Sequence, residues 1–276
     1  MRREGRVCVC GSAAFAPVFR FDAPPEGETR FPLSGHAYRR DVLRCEACGH
    51  FISVHDMDLA ALYGGDYVDA TYGPAGLAAA FDRIVHLPPD RSDNEGRARR
   101  LLEFTGRTFP PARAAAPTVL DVGSGLCVFL HRMKAAGWRG TALDPDPRAV
   151  AHARDRVGVQ AVCADFMTSA SPGRFDVVTF NKVLEHVESP AAMLARSRDC
   201  LAPGGFVYVE LPDGEGAAAE GFGREEFFIE HHHIFSPASL AWLARSAGFA
   251  VIDQTRLREP SSKFTLVAFL RPSDLP

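Results

Sequence analysis

The sequence predicts an α/β protein with a doubly wound, mostly parallel β-sheet. From Thr118 onward, short apolar segments typical of strands alternate with segments typical of helices. Phe175–Phe180 (FDVVTF) is a continuous apolar run, as expected for a strand covered by helices on both faces. Only a short turn separates Ala250–Gln254 from Phe264–Phe269, so we expect a hairpin that places one antiparallel strand in the sheet.

Each element is bounded by residues that favour its start or its end. The seven predicted strands are Val119–Asp121, Gly140–Leu143, Gln160–Ala164, Phe175–Phe180, Phe206–Leu211, Ala250–Gln254 and Phe264–Phe269. The predicted helices are Val128–Ala136, Pro147–Arg156, Ala191–Leu201 and Pro237–Ala247. Pro203–Gly205 (PGG) closes the third of these helices, and Gly248 stops the fourth. Ser236 is a good N-cap and Pro237 a good first-turn residue for that fourth helix.

A further helix is predicted upstream of the alternating region, over Asp93–Phe104. Asp93 or Asn94 is its plausible N-cap. The residues expected on its buried face are Leu101, Leu102 and Phe104.

Composition excludes several classes of protein. With 276 residues, 46% of them hydrophobic, the chain can bury a sizeable core. A net charge of −3 does not favour a nucleic-acid partner. No apolar stretch is long enough to span a membrane, and the N-terminus lacks the apolar region of a secretory signal. We therefore expect a cytoplasmic protein whose seven cysteines are thiols or metal ligands rather than disulfides.

A glycine turn after the first strand of the alternating region predicts a pocket for a nucleoside-type cofactor. The stretch Val119–Gly125 (VLDVGSG) runs from an apolar strand into the turn, and Asp144 ends the next strand at the spacing of a ribose-binding acid. Asp165 follows the third strand, and Asn181 lies at the carboxyl end of the fourth, where open sheets bind ligands. The alternatives are a turn that serves only packing, and Asp144 as a helix cap beside Pro145.

Four motifs together resemble the class I S-adenosylmethionine-dependent methyltransferases, a Rossmann-like family: DVGSG, LD, AD and LAPGG. The resemblance covers roughly residues 118–212. A nicotinamide enzyme would more often carry GxGxxG. Cys127 replaces a frequent third glycine, and we interpret it as structural because its side chain is small.

The resemblance implies a role for each cofactor residue. Gly123 and Gly125 would let the backbone meet the methionine part of S-adenosylmethionine, and Asp121 would orient that loop or the amino group. Asp144 would bind both ribose hydroxyls. Asp165 would accept from the adenine amino group, with Phe166 beside the ring or, alternatively, only in the core. Asn181 completes the predicted set.

Methyl transfer to a hydroxyl or an activated carbon needs a base, and two segments offer one. The first is VLEHVESP, with Glu185 and His186, whose alternative is a structural histidine at a helix start. The second is FFIEHHHIFSPASL, where we favour His231 beside Glu230 as the base. His233 is the fallback, and we expect His232 to face elsewhere. Consecutive side chains diverge, so the three histidines are not expected to bind zinc.

Four cysteines near the N-terminus predict a structural zinc site. Cys8 and Cys10 form CVCG, and Cys45 and Cys48 form CEACG, so each pair is followed by glycine, as in a zinc knuckle. Unpaired cytosolic thiols are the alternative. The histidines that could replace one ligand are His36, His50 and His55.

Two features of this chain resemble those of the sugar C-methyltransferases that act on nucleotide-linked keto-deoxysugars. They are the Glu-His…Phe-Ser segment and the predicted N-terminal zinc module. A tyrosine-rich piece, Leu62–Gly73, adds to the likeness, and Tyr67 and Tyr72 would cover the cofactor or substrate. Phe228 stands where that group often has an assisting tyrosine, which leaves O-methylation open. We expect the large C-terminal domain of that group to be absent.

We therefore predict a small-molecule methyltransferase whose acceptor is a nucleotide-linked or polysaccharide sugar. Its predicted parts are a zinc-binding module (residues 1–58), a helical lid or linker (59–117) and a methyltransferase domain (118–276). Arg224, Lys182 and Arg258 are speculative contacts for a phosphate or carboxylate. The alternatives are a zinc-ribbon RNA-modifying or RNA-binding protein, and a non-catalytic scaffold that binds the cofactor.

Overall fold

The computed structural model describes residues 6–28, 37–57 and 76–273. Within these ranges the strands are β1 (Phe15–Phe21), β2 (Arg40–Cys45), β3 (Phe51–Val54), β4 (Thr118–Val122), β5 (Arg139–Asp144), β6 (Gln160–Cys163), β7 (Phe175–Asn181), β8 (Leu201–Pro212), β9 (His233–Ile234), β10 (Phe249–Arg258) and β11 (Phe264–Pro272). The helices are α1 (Gly76–Val85), α2 (Asp93–Thr108), α3 (Pro111–Ala114), α4 (Val128–Ala135), α5 (Pro147–His152), α6 (Pro190–Arg196), α7 (Gly214–Glu220) and α8 (Pro237–Ser246). None of these helices is long and apolar enough to cross a membrane.

The large sheet has seven strands in the order β10-β11-β8-β7-β4-β5-β6, which confirms the predicted α/β class and strand number. Strand β11 runs antiparallel to both β8 and β10, and the other pairs in this sheet are parallel. The predicted hairpin and its one antiparallel strand are therefore present. Strands β5 and β7 flank β4 on opposite sides, so the order reverses at β4, the place where open α/β sheets bind ligands.

Several predicted boundaries differ from the structure, and two of them change the interpretation of a residue. Helix α6 ends at Arg196, and a short 3-10 turn leads into β8 at Leu201, so Pro203–Gly205 lies inside the strand. The N-cap of α2 is Ser92, whose hydroxyl accepts from the Glu95 amide, and not Asp93 or Asn94. Ser92 stands one residue earlier than predicted, and it has the hydroxyl that favours this position.

A second, four-stranded antiparallel sheet has the order β1-β2-β3-β9. Strands β1 to β3 come from the N-terminal part of the chain, whereas β9 comes from the segment that follows β8. In the register of β3 with β9, Phe51 faces Ile234 and Ile52 faces His233. The two sheets are therefore joined through the segment predicted to hold the base.

Apolar side chains cover both faces of the large sheet. One face packs against α6 and α8, for example through Leu194 and Leu240. The other face packs against α2 and α4, where Phe104 stacks on Phe269 of β11 at 3.9 Å between ring centroids. Leu101 is also fully buried there, whereas Leu102 is only partly buried. Each such side chain contributes about 1.5–3 kcal/mol by leaving water.

A charged cluster ties α2 to the centre of the sheet. Glu210 lies in the apolar strand β8 and is fully buried. Its carboxylate accepts hydrogen bonds from Arg97 at 2.5 Å, from Arg100 at 2.8 Å and from the Tyr208 hydroxyl at 2.5 Å. Burial alone would raise the pKa of Glu210, but Arg97 and Arg100 lower it to about 2. The carboxylate is thus held ionised between two cations.

We expect Glu210→Gln to lower the free energy of unfolding by about 3–5 kcal/mol, because it leaves two arginines without their buried partner. Because the pKa of Glu210 is lowered, its carboxylate stabilises the fold fully above pH 4.5, the ordinary pKa of a glutamate. This stabilisation is lost as the pH falls towards 2. The difference between variant and wild type, measured by urea unfolding, should shrink over that interval. The control is Glu220→Gln, whose carboxylate pairs with exposed Arg258, and which should cost about 1 kcal/mol or less. Equal losses for both variants would contradict this interpretation.

Candidate functional site

A cavity of about 1140 Å³ opens at the carboxyl ends of β4, β5 and β7. Its volume is sufficient for a nucleoside-type cofactor together with a small acceptor. The cavity wall contains all of the predicted cofactor residues and the favoured catalytic residues, though not the fallback base His233: Asp121, Gly123, Gly125, Asp144, Asp165, Phe166, Asn181, His186, Glu230 and His231. Two separate stretches of sequence therefore converge on one space.

In the glycine turn after β4, backbone atoms that no side chain covers line this cavity. Gly123 has φ +68°, and a Cβ there would lie 2.9 Å from a methyl of Val183. Its amide donates to the Leu143 carbonyl at 2.8 Å, which ties the turn to β5. Only glycine fits this position, because both the backbone angle and the space exclude a side chain.

Cys127 precedes α4 with φ +59°, in the left-handed region that favours glycine. This angle gives a physical reason why a glycine is frequent at this position in the family that the motifs resemble. The side chain is buried, at 1% exposure, beside the apolar residues of α4. The thiol has the size that the space allows, in agreement with its interpretation as structural.

Two acids face the turn, each held by specific donors. Asp121 accepts from the Thr179 hydroxyl at 2.7 Å and from the Asn181 side-chain amide at 2.8 Å. Asp144 accepts from the Gly125 amide and the Asp146 amide, both at 2.9 Å. Burial raises the pKa of both carboxyl groups, that of Asp121 to about 6. These bonds fix the orientation of both carboxyl groups before any ligand arrives.

Asn181 has a second feature that fits a ligand. Its side-chain oxygen is buried and has no hydrogen-bond partner among the described residues. Since its amide nitrogen is used by Asp121, this oxygen remains available to a donor in the cavity. An ammonium or hydroxyl group of a bound molecule would satisfy it.

Asp165 and Phe166 follow β6 and lie in the cavity wall. Asp165 accepts from the Met167 amide at 2.7 Å. Phe166 is 4% exposed and packs against Phe180, with 5.8 Å between ring centroids. Phe166 is thus part of the core as well as of the cavity wall, so the two interpretations of this residue are compatible.

The cavity wall also contains two imidazoles in contact. The rings of His186 and His231 lie 4.9 Å apart at an angle of 62°. Nδ1 of His231 bonds the Glu226 carbonyl at 2.8 Å, and Nδ1 of His186 bonds the Glu230 carbonyl at 3.0 Å. A carbonyl only accepts, so these bonds place a proton on each Nδ1 and a lone pair on each Nε2.

Burial keeps both imidazoles neutral and raises the pKa of the two neighbouring carboxyl groups. It lowers the pKa of His186 to about 4 and that of His231 well below its ordinary value. It raises the pKa of Glu185 and of Glu230 to about 7. Neutral imidazole is the form that can accept a proton.

The other two histidines of the run lie outside the cavity wall. The His232 amide donates to the Glu185 carbonyl at 2.8 Å. His233 belongs to β9, and its Nδ1 lies 3.0 Å from Nε2 of His50. Of the three histidines in this run, His231 alone is therefore in the cavity wall.

A buried ion pair that sequence reasoning missed holds the segment before Glu230. Glu28 and Arg40 are both fully buried at their side chains and lie 3.0 Å apart. Arg40 also donates to the Phe227 carbonyl at 2.5 Å, and Glu28 accepts from the Ile229 amide at 2.7 Å. No sequence motif marks this pair, because its two members and their backbone partners are distant in the chain.

The four cysteines converge as predicted. Cys8 and Cys48 have their sulfurs 3.5 Å apart, and those of Cys10 and Cys45 are 3.7 Å apart. All four sulfurs lie within 4.8 Å of one another, which fits a tetrahedral thiolate site. His50 instead bonds Ser239 and His233.

The remaining candidates are spread over the chain. Arg224 pairs with Glu220 and Glu226, and Arg258 pairs with Glu220, so neither is an uncommitted cation. Lys182 lies in the cavity wall and donates to the Thr265 hydroxyl at 2.7 Å. The possible ligand His36 and the tyrosines Tyr67 and Tyr72 lie outside the described residues.

Relatives of known sequence are methyltransferases. The chain is 29% identical over 160 residues to the ubiquinone biosynthesis O-methyltransferase of Thiobacillus denitrificans, covering 52% of this chain and 69% of that protein. It is 31% identical over 168 residues to the enzyme of the same name from Xanthomonas axonopodis pv. citri, covering 55% and 69%. The chain thus spans about two thirds of the length of these curated relatives.

Solved structures share the fold at low identity. The 1,6-didemethyltoxoflavin-N1-methyltransferase of Burkholderia thailandensis, bound to S-adenosylhomocysteine, has a TM-score of 0.53 at 21% identity, covering 91% of this chain and 100% of that one. The magnesium protoporphyrin IX methyltransferase of Synechocystis has a TM-score of 0.57 at 13% identity, covering 76% and 99%. A family model described as a methyltransferase domain matches residues 92–254, more than half of the chain. The chain belongs to this methyltransferase family, whose members take their methyl group from S-adenosylmethionine.

Proposed function

We propose that this protein transfers a methyl group to a hydroxyl group of a small acceptor, with His231 as the base. The observation that carries the proposal is the single cavity whose wall contains both the glycine turn and the Glu230–His231 pair. S-Adenosylmethionine, when bound, supplies a methyl group on a positively charged sulfur. The residues of this chain bind it, orient the acceptor and remove a proton.

The cofactor residues fit the groups they would bind. The turn at Gly123 leaves room for the methionine part, and the unpartnered oxygen of Asn181 fits its ammonium group beside Asp121. Asp144 would accept from the ribose hydroxyls. Asp165 and Phe166 would hold the adenine, one by accepting from its amino group and the other by packing against its ring. The partial desolvation of Asp121 and Asp144 favours a positively charged or donor-rich ligand.

On the acceptor side, His231 would take the hydroxyl proton at Nε2, because Nδ1 already donates to the Glu226 carbonyl. His186 packs edge-on against this ring and limits its orientation. Glu230 lies beside them in the wall and would bind a second donor of the acceptor.

A sugar, nucleotide-linked or part of a polysaccharide, is the acceptor class we propose. The support is the resemblance of the Glu-His…Phe-Ser segment and of the four-cysteine cluster to the sugar C-methyltransferases. Oxygen rather than carbon is the proposed methylated atom, because Phe228 in the cavity wall has no hydroxyl to assist removal of a proton from carbon. The curated relatives named above are also O-methyltransferases.

We also propose that zinc occupies the Cys8, Cys10, Cys45 and Cys48 cluster in a closed, structural role. The cluster lies outside the wall of the cavity. Residues 1–58 would then form a zinc-dependent module, residues 59–117 a lid or linker and residues 118–276 the cofactor-binding domain. Strand β9 joins the first and third of these parts.

Asp144→Ala should raise the dissociation constant for S-adenosylmethionine by at least about tenfold, because two charge-assisted hydrogen bonds to ribose are lost. Isothermal titration calorimetry measures this directly. Asp199→Ala, at an exposed aspartate of the 3-10 turn before β8, is the control and should bind as the wild type does. Unchanged affinity in Asp144→Ala would refute the ribose role. Absence of micromolar affinity in the wild type would end the enzyme proposal.

His231→Ala should reduce turnover about 100- to 10,000-fold while leaving cofactor affinity nearly unchanged, because it removes only the base. The measurement is S-adenosylhomocysteine release with thymidine-diphosphate-linked deoxysugars, in both keto and hydroxyl forms, as acceptors. His232→Ala is the matched control, since His232 lies outside the cavity wall. Full activity of His231→Ala would remove it as the base. Methylation of the keto form at carbon would instead overturn the O-methylation proposal.

Metal analysis of protein purified without chelators should find one zinc ion per chain. Cys45→Ser should lose most of this zinc and unfold at a lower temperature, because metal binding and folding are coupled in such sites. Cys163→Ser, at an exposed cysteine outside the cluster, should keep both the zinc and the stability. A wild-type protein that contains no zinc would refute the metal proposal while leaving the cofactor proposal intact.

A further inference from the structure

The cavity wall contains two lysines to which the proposed function assigns no role. The chain has only three lysines among its 31 lysine and arginine residues, and two of the three, Lys182 and Lys263, lie in this wall. Lysine presents a compact ammonium group with three donors, whereas arginine presents a planar fork suited to fixed partners. The chain thus uses arginine almost throughout and places its few ammonium groups at the cavity.

Lys182 is held in a strained backbone conformation. It directly follows β7 and has φ +62°, in the left-handed region that disfavours a residue with a Cβ. Its amide donates to the Glu210 carbonyl at 3.1 Å, which helps to fix this conformation. Glycine or asparagine would adopt the same conformation at lower cost, so the presence of a lysine points to a function of its side chain.

The ammonium group of Lys182 has a neutral partner. Its Nζ donates to the hydroxyl of Thr265 at 2.7 Å. Among the residues that the structure describes, no carboxylate oxygen lies within 4.0 Å of this nitrogen. By contrast, the arginines of the wall, Arg97 and Arg148, each pair with a carboxylate. Lys182 therefore brings a positive charge to the cavity that no adjacent carboxylate neutralises.

Lys263 adds a second positive charge near the same point. It lies two residues before Thr265, the residue that binds Nζ of Lys182. Burial lowers the pKa of Lys182, and the charge of Lys263 lowers it further. The partner of Lys263 is Glu225 at 3.2 Å, but 41% and 38% of the two side chains are exposed, so this pair is weak. An anion between the two lysines would relieve their mutual repulsion.

Two buried carboxyl groups of the wall could oppose such an anion. They are Glu185 and Glu230, and burial raises the pKa of both to about 7. Each can therefore take up a proton near neutral pH, which removes its negative charge when an anion binds nearby. Glu226 is paired with Arg224 at 3.0 Å. The acidic groups of the wall are thus compatible with an anion at the lysines.

We propose that Lys182 and Lys263 form an anion-binding subsite that holds a phosphoryl or carboxylate group of the acceptor. This inference rests on the proposed function, because it requires that the acceptor occupies this cavity. It narrows the acceptor class to molecules with a negative charge. A nucleotide-linked sugar has this charge in its diphosphate, whereas a polysaccharide would need an acidic sugar.

The first test measures anion binding without turnover. Protein saturated with S-adenosylhomocysteine is titrated in a calorimeter with inorganic pyrophosphate, with thymidine diphosphate and with glucuronate. We expect one site per chain, whose affinity falls as salt is added, because the attraction is electrostatic. Tighter binding of the two diphosphates would assign the subsite to a phosphoryl group, and tighter binding of glucuronate to a carboxylate. Protein that binds S-adenosylhomocysteine but none of the three anions would overturn the subsite.

Lys182→Asn should raise the dissociation constant for the tightest of these anions at least about tenfold, because a charge-assisted contact is lost. Lys263→Gln should weaken the same anion. Affinity for S-adenosylhomocysteine should stay within about twofold of wild type in both variants. Asparagine readily adopts the left-handed conformation, so the unfolding temperature of Lys182→Asn should not fall. Unchanged anion affinity in a folded Lys182→Asn would contradict the proposal.

The third lysine of the chain provides the matched control. Lys134 belongs to α4 and lies outside the cavity wall, and its Nζ donates to the carbonyls of Val157 and Gly158. Lys134→Gln should therefore lower the unfolding temperature and keep the wild-type affinity for the anion. A loss of anion affinity as large as that of Lys182→Asn would show a general effect of charge and would overturn the subsite.

The second test separates anion binding from an effect on the reacting oxygen. Release of S-adenosylhomocysteine is measured with a charged acceptor and its uncharged counterpart. These are a thymidine-diphosphate-linked deoxysugar and its methyl glycoside, or methyl glucuronide and methyl glucoside if the first test favours a carboxylate. Lys182→Asn should raise KM about tenfold or more for the charged acceptor alone, with little change in kcat. An equal loss of kcat with both acceptors would overturn the anion role.

The two proposals fail in different ways. A wild-type protein without affinity for S-adenosylmethionine would be a failure of the proposed function itself. A wild-type protein that binds S-adenosylmethionine but no anion, or that binds anions equally well without Lys182, would refute the subsite alone.

Discussion

Burial of the Arg40 guanidinium is the constraint on which the position of the segment before Glu230 and His231 depends. A fully buried cation is tolerated only if its donors are satisfied. Arg40 meets this condition by bonding Glu28, Tyr38 and the Phe227 carbonyl. The Glu28 carboxylate in turn accepts from the Ile229 amide. The segment that leads into Glu230 and His231 is therefore held by partners in the N-terminal part of the chain.

The proposed cofactor half and the proposed acceptor half of the cavity consequently differ in how they are built. The cofactor half comes from one sheet, where β4, β5 and β7 end side by side and the glycine turn is tied to β5 through the Leu143 carbonyl. The acceptor half needs two sheets, because the segment after β8 is fixed by the pairing of β9 with β3 and by Arg40. Changes of acceptor could therefore arise in the small sheet without disturbing the cofactor residues.

This difference explains what the sequence could and could not predict. Gly123, Asp121 and Asp144 were predictable, because a strand, a turn and the next strand place them together through local geometry. Glu28 and Arg40 were not, since only the tertiary fold brings them to Ile229 and Phe227. Glu210 could be recognised in the sequence as unusual, because it is a charged residue within the apolar strand β8. Its partners Arg97 and Arg100 could not be predicted, because several helices and strands separate them from it in the chain. The N-cap of α2 was misplaced by one residue because Ser92, Asp93 and Asn94 all have capping side chains.

The cysteine cluster lies at a turn of the small sheet and outside the wall of the cavity. Cys45 ends β2 and Cys48 precedes β3, so two of the four cysteines lie in the turn that joins these two strands. The Cys48 carbonyl accepts from the Ser236 hydroxyl, which also caps α8 through the Ser239 amide. His50 continues the connection by bonding Ser239 and His233. A change in the conformation of this turn would shift His231 at both ends of its segment, through the Arg40 contacts before it and through β9 after it. This holds although no cysteine of the cluster lies in the cavity wall.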